Sequence, residues 1–328
     1  MHCANCAQPA EFVENAPIGR YFCSALCQLE IAKVQPPLRV RVITWNIAEI
    51  SKSVKAWLNE ELNGPEWRAI IEKLQYDILC VTVQEDTLDG NFGKALRIFL
   101  KNYEVAEYSN GAPGKVVRTY VFYTHRHIQP DSADTKSACL LRKVAFCTKS
   151  TVGVSLQTYQ GIQLVFLGSH FPVDPKKADF GLDARNRAEE QTIQKVLAPL
   201  LKRQPYAIMW AGDLNYRVTS NGREQLDDER RRPGGAFSEF KEAPRKFFPT
   251  CKLQEAPTCN RKESDTSKQP ACYAKNRLPS FCDRILFRAS KEVLISNMRY
   301  ESYADPKAVQ KSDHNLVYGD FLIRLNPQ

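Results

Sequence analysis

The stretch Met209-Trp210-Ala211-Gly212-Asp213-Leu214-Asn215-Tyr216-Arg217 decides how the rest of the chain is read. Its apolar start reads as a buried strand, and that strand runs directly into a carboxylate. A second stretch, Leu278-Pro279-Ser280-Phe281-Cys282-Asp283-Arg284-Ile285-Leu286, also sets ionisable residues against an apolar run. A core holds an Asp at such a point only where partners, a metal or a substrate compensate its desolvation. Met209 and Trp210 themselves read as core.

Outward from these two stretches, strand-like runs recur at Val40 to Trp45, Ile78 to Val83, Tyr120 to Tyr123, Gln163 to Gly168, Ala207 to Trp210, Arg284 to Phe287 and Val317 to Ile323. Amphipathic stretches, Pro65 to Leu74 and Ala188 to Leu201, alternate with them and predict a mixed α/β domain from residue 38 to 328. Polar residues stand where the runs end: Asn46, Glu85, His170, Asp213 and Asn215. Any one of them reads as a turn residue, but together they predict strand ends converging on one rim. The run Arg223 to Arg232 carries both charge signs and reads as a solvated helix and loop, and Thr258 to Gln269 as a polar mobile loop.

The chain has 328 residues, 43% of them hydrophobic, enough for a large core in one or two domains. Its 46 Lys plus Arg against 37 Asp plus Glu give a net charge of +9, which favours an anionic partner without choosing among nucleic acid, an anionic membrane surface and a phosphorylated small molecule. No apolar run approaches the roughly 20 residues of a membrane span, and the N-terminus lacks signal-peptide order. Neither end carries a lipidation signal. The 11 cysteines are odd in number, and Cys80, Cys147 and Cys282 lie in strand-like runs, so free thiols in a reducing compartment are expected. The expectation is an intracellular, cytoplasmic protein with at most peripheral membrane contact.

Residues 1–35 form a separate unit before Pro36-Pro37. Cys3-x2-Cys6 and Cys23-x3-Cys27 have the spacing of a tetrahedral Zn2+ site, and so short a segment has little else to fold around. Four thiolates leave no open position, so the zinc is expected to be structural. Arg20 to Gln28 resembles the second half of short zinc fingers; protein is one candidate partner of the module, and the sequence does not choose among protein, nucleic acid and none.

From Val40 to Leu325 the chain resembles the inositol polyphosphate 5-phosphatases of the endonuclease/exonuclease/phosphatase superfamily. Trp45-Asn46, Gln84-Glu85, Ser169-His170, Gly212-Asp213-Leu214-Asn215 and Ser312-Asp313-His314 carry the superfamily part. Trp210-x-Gly212-Asp213-Leu214-Asn215-Tyr216-Arg217 with Arg277-x-Pro279-Ser280-x-Cys282-Asp283-Arg284-Ile285-Leu286 carries the narrower part. The resemblance implies a two-sheet β-sandwich flanked by helices, and hydrolysis of a 5-phosphate on phosphoinositides or soluble inositol polyphosphates. It implies Mg2+ on Glu85 and Asn46, Asp213 as the base, Asn215 as its positioning partner, and His170 and His314 as donors to phosphate. Asp283 would orient His314, and Asp313 would organise metal or water. Lys252, Lys275 and Arg277 would contact a neighbouring phosphate. Lys149, Arg185, Asn186 and Arg284 complete the expected substrate side, although Asp283-Arg284 also reads as an internal ion pair.

Four departures from the family pattern bear on substrate choice. Cys147-Thr148-Lys149-Ser150-Thr151 replaces a glycine-rich turn, Asp174 stands for a second histidine, Cys251 for a tyrosine and Phe281 for a tryptophan. The rival readings are a nuclease or deadenylase, which the Pro279 to Leu286 stretch disfavours along with nucleic acid as partner, and a zinc adaptor on an inactive inositide-binding body.

Overall fold

The computed structural model describes residues 11–12, 21–22, 36–48, 53–56, 58, 70–71, 76–219, 221–253, 273, 278–303 and 312–326. Near the N-terminus, β1 (Glu11–Phe12) pairs antiparallel with β2 (Tyr21–Phe22). Cys3, Cys6, Cys23 and Cys27 lie outside the described residues, as do Lys275, Arg277 and the run Thr258 to Gln269.

The body is two mixed sheets. One has six strands in the order β12 (Val293–Tyr303), β13 (Leu316–Leu325), β3 (Leu38–Asn46), β4 (Ile78–Asp86), β6 (Val116–Tyr123), β5 (Glu104–Asn110). The other has five: β11 (Asp283–Ala289), β10 (Tyr206–Asp213), β9 (Gln163–His170), β8 (Phe146–Gln157), β7 (Asp134–Lys143). Each sheet contains one parallel pair, β3 with β4 and β9 with β10, and its other pairings are antiparallel.

Period-2 alternation explains how these strands make three apolar layers. Val40, Val42, Ile78, Cys80, Leu164, Phe166, Met209, Ala211, Ile285 and Phe287 point between the sheets. The alternate residues Ile43, Trp45, Val81 and Val83 meet α1 (Asn91–Phe99) through Phe92, Ala95 and Leu96 on one outer face. Val165, Leu167, Ile208 and Trp210 meet Ala188, Val196, Leu200 and Phe237 on the other. There α2 (Leu182–Thr192) continues through a π-helical stretch, Ile193–Leu197. The amphipathic run from Ala188 is therefore helical as expected. Of Pro65 to Leu74 only Ile70 and Ile71 are described, both helical and buried.

The same parity places the polar residues at the rim. Asn46 follows Val40 and Val42 on the inner face, His170 follows Leu164 and Phe166, Asp213 follows Met209 and Ala211, and Asp283 precedes Ile285 and Phe287. Gly212 makes the close approach of β9 and β10 possible at this point. A Cβ there would sit 2.1 Å from the carbonyl oxygen of Ser169. Gly212→Ala is expected to cost about 1–3 kcal/mol through overpacking, read as a lower urea midpoint at unchanged slope.

Two expectations are corrected. Cys147 is not a thiol but is joined to Cys139 across the β7–β8 hairpin, where irregular strand pairing brings the Cα atoms within 5.6 Å, inside disulfide reach. Cys80, Cys251 and Cys282 are free and buried. The run Arg223 to Arg232 is also less solvated than its composition suggests. Its helix α3 (Gln225–Arg231) buries Leu226 and Glu229, and Glu224 and Asp227 turn inward to buried arginine.

Candidate active site

Asp213 is the hub. Its Oδ2 lies 3.3 Å from His170 Nε2 and 3.8 Å from His314 Nε2, and accepts a 3.2 Å hydrogen bond from Asn46 Nδ2. Its Oδ1 accepts from the Asn215 backbone N–H at 3.1 Å. Asn215 adopts a left-handed φ of 53°, a conformation asparagine tolerates better than most residues, and donates Nδ2 to the Phe171 carbonyl at 3.0 Å. Arg217 Nη2 donates to Asn215 Oδ1 at 2.7 Å, fixing the carboxamide from the other end. Residues scattered from 46 to 314 thus meet at one rim, as their strand-end positions implied.

His314 and Asp283 form a dyad. Nδ1 of His314 is 2.8 Å from Asp283 Oδ2, which also accepts 2.7 Å from Thr250 Oγ1. Trp45 Nε1 donates to the His314 carbonyl at 3.1 Å, and Ser312 Oγ donates to the Asn46 carbonyl at 2.5 Å, tying this loop to the end of β3. Burial alone would discharge His314, but the Asp283 carboxylate, with Cys251 and Asp213, outweighs it and holds the imidazole well above its ordinary range. His170 goes the other way: burial and the Lys149 ammonium lower it, so it is neutral at pH 7. Burial raises Asp213, yet the His314 charge and the His170 hydrogen bond win and keep it ionised.

These directions predict a pH profile. The raised His314 pKa means the cation is fully present below the unfolded value of about 6.5 and fades only as pH rises through the higher folded value, while burial lifts the Asp283 carboxyl to about 6, so the ion pair itself is lost as pH falls through that value. Asp283→Asn removes the principal charge that raises it. The alkaline limb of kcat/KM is then expected to move at least about one unit toward neutrality, a shift a pH–rate series would register.

Glu85 occupies a β-bulge between Val83 and Asp86 with φ of 58°, a costly conformation for a glutamate. Its Oε1 is 3.9 Å from His170 Nε2 and its Oε2 is 3.3 Å from Lys115 Nζ. Its neighbour Gln84 is in register with Asn46. The Glu85 carboxylate and Asn46 carboxamide are hard oxygen donors at the mouth of the cluster, a set that suits Mg2+. Asp213, Asp283 and His314 also offer ligand atoms within 4.8 Å of one another. In that trio, however, Asp283 is engaged by His314 and Thr250, and His314 is protonated, so a cation is not expected there.

The other expected residues divide. Lys149 contacts His170 Nε2 and reaches the centre itself, its ammonium lowered by burial to about 8. Lys252 pairs with Asp313, so Asp313 holds a cation of the site wall. Arg185 is enclosed, donating to the carbonyls of Phe180 and Asp179 and to Gln225 Oε1, while Asn186 Oδ1 accepts from Tyr216 OH. Both support the wall behind the site rather than face substrate. Arg284 is a correction. Adjacent strand residues point to opposite faces, so it neither pairs with Asp283 nor faces substrate; it pairs with Glu242, Asp227 and Glu224. Sequence reasoning assigned no role to Arg217, though it lies in the Trp210 to Arg217 motif, and it passed over Thr250 and Lys115, which no local pattern marks.

Residues 43–320 match the family model described as endonuclease/exonuclease/phosphatase family 2. The chain belongs to the endonuclease/exonuclease/phosphatase family. Curated proteins similar to the chain include the phosphatidylinositol 3,4,5-trisphosphate 5-phosphatase 1 of Xenopus laevis, 24% identical over 94% of this chain and 33% of its own length. The type IV inositol polyphosphate 5-phosphatase 11 of Arabidopsis thaliana is 27% identical over 88% of this chain and 83% of its own. The chain spans about a third of the length of the first of these. Among solved structures, the inositol polyphosphate 5-phosphatase domain of SpSynaptojanin, in complex with inositol (1,4)-bisphosphate and calcium ion, has a TM-score of 0.60 at 17% identity, covering 91% of this chain and 90% of that one. A Cimex nitrophorin reaches a TM-score of 0.59 at 16% identity over 89% of this chain and 100% of that one, so the likeness of structure establishes the sandwich alone.

Proposed function

We propose that the protein is a Mg2+-dependent phosphatase that hydrolyses the 5-phosphate of phosphoinositides or soluble inositol polyphosphates. The observation that carries this reading is the single Asp213 oxygen flanked by a neutral and a protonated imidazole, 3.3 and 3.8 Å away. A phosphate monoester dianion repels nucleophiles, so its hydrolysis needs a proton acceptor for water beside donors to the phosphoryl oxygens. Asp213 accepts the proton of the attacking water, and its low basicity makes orientation by Asn215 and Asn46 the larger contribution. His314, held charged by Asp283, donates to a phosphoryl oxygen, and neutral His170 stands on the other side of Asp213 with the Lys149 ammonium at its Nε2. Lys149 and Lys252 add positive charge on either side. Glu85 and Asn46 would hold Mg2+, which when bound neutralises phosphoryl charge. The names of the relatives support the inositol ring as the alcohol, and the Pro279 to Leu286 stretch supports it over nucleic acid.

The test is phosphate release from a panel of inositol phosphates and short-chain phosphoinositides. Release is expected only from members carrying a 5-phosphate, and EDTA should abolish it until Mg2+ is restored. Cleavage of abasic duplex DNA or poly(A) in place of phosphate release would replace the phosphatase with a nuclease.

A further inference from the structure

Cys251 and Cys282 are both free, 1% and 0% exposed, and Cys251 is bridged across the backbone to Ser280, two residues before Cys282. Neither is solitary. Cys251 Sγ accepts from Arg217 Nη1 at 3.3 Å, and the same guanidinium fixes Asn215. Cys282 Sγ faces the Tyr216 carbonyl at 3.7 Å, and the Leu214 N–H donates to the Cys282 carbonyl at 2.8 Å. The two thiols therefore lie between the Asp213-to-Arg217 turn and the strand that begins at Asp283.

The segment carrying Cys251 is the strap that joins the remaining parts. Thr250 donates to Asp283, Lys252 pairs with Asp313, the Leu253 N–H donates to the Asp313 carbonyl at 2.8 Å, and Thr250 accepts from the Asn315 N–H at 2.9 Å. Cys251 itself bridges both Ser280 and His314 through the backbone. A movement of its sulfur is thus felt by Asn215 through Arg217 and by His314 through the strap.

We propose that Cys251 and Cys282 form a peroxide-sensitive dithiol whose disulfide switches the site off. Hydrogen peroxide is the oxidant. The Cys251 sulfur takes one peroxide oxygen, giving a sulfenic acid and water. The Cys282 thiol then attacks that sulfur; the S–S bond forms, the S–O bond breaks, and the hydroxyl leaves as a second water. Arg217, His314 and the Cys282 thiol favour the attacking thiolate of Cys251 against the effect of burial. Side-chain exposure of the next residue, Lys252, is 38%, which leaves the strap one residue from solvent. In the oxidised form Arg217 loses its sulfur partner, Asn215 loses its anchor, and the strap is drawn toward Cys282.

The experiment treats the whole protein with hydrogen peroxide, caps free thiols and maps the peptides. A Cys251–Cys282 linked pair is expected, together with faster hydrogen exchange at the Leu253 and Asn315 amides; these readouts are independent of substrate identity. On the proposed reading of the site, phosphate release falls by about a hundred-fold, the scale of a 1 Å misplacement, and returns with dithiothreitol. Cys251→Ser and Cys282→Ala should each keep their own starting rate after peroxide, and a Cys139→Ala/Cys147→Ala variant should respond like the parent. Exchange and activity unchanged in linked protein, or loss of activity without the linked pair, would overturn the proposal. A linked pair with accelerated exchange in a protein that hydrolyses none of the panel would sink the phosphatase and leave the dithiol standing.

Discussion

Asp213→Asn is expected to lower kcat by about a hundred- to ten-thousand-fold with little change in substrate affinity, measured by initial rates. The side chain is isosteric, and the carboxamide oxygen can still accept from the Asn215 amide. What disappears is the charge between the two imidazoles. His170 then loses the hydrogen bond that opposes its burial, and His314 loses one of the carboxylates that hold its proton. An affinity that collapses while kcat survives would mean that Asp213 binds rather than activates. Rates unchanged within twofold would remove it from the reaction.

Glu242→Ala is expected to destabilise the protein by about 3–5 kcal/mol, because it strands a charge the fold cannot hydrate. Arg284 is 1% exposed at its side chain and gives Glu242 two hydrogen bonds, Nε to Oε1 at 2.6 Å and Nη2 to Oε2 at 2.5 Å. Tyr300 OH also donates to Oε1 at 2.9 Å, and Arg230 Nη1 lies 3.2 Å from Oε2. Without Glu242, the buried guanidinium keeps the longer contacts to Asp227, Glu224 and the Phe281 carbonyl. An Arg284→Met/Glu242→Leu double variant should recover most of the loss, since it removes both charges. Below the melting transition both variants should retain the parent KM. A large rise in KM for the double variant at full stability would return Arg284 to the substrate side, against its position on the outer face of β11.

How far the site was legible follows from these same residues. Asn46, Glu85, His170 and Asp213 could be found because a strand that ends on a polar side chain leaves a visible mark in the pattern of apolar residues. Asp283 and Arg284 stood out equally, yet only parity separates them: one belongs to the inner face with Ile285, the other to the outer face with Leu286. A sequence shows that alternation but not which face holds the reaction. Thr250 and Lys115 were illegible for another reason. Their roles depend on contacts to Asp283 and Glu85, 33 and 30 residues away, made by loops without periodicity. The Cys139–Cys147 bridge was missed because composition argues about compartments, whereas pairing is a matter of hairpin geometry.

The two-sheet construction has a consequence for how competence arises during folding. Asn46 and Glu85 come from the six-stranded sheet, while His170, Asp213 and Asp283 come from the five-stranded one. On the proposed reading neither half carries the whole site, so activity requires the halves to dock. Refolding followed by turnover should therefore lag behind refolding followed by circular dichroism whenever a sheet forms before the sandwich closes. On the proposed reading of the site, turnover reports the last long-range contact to be made.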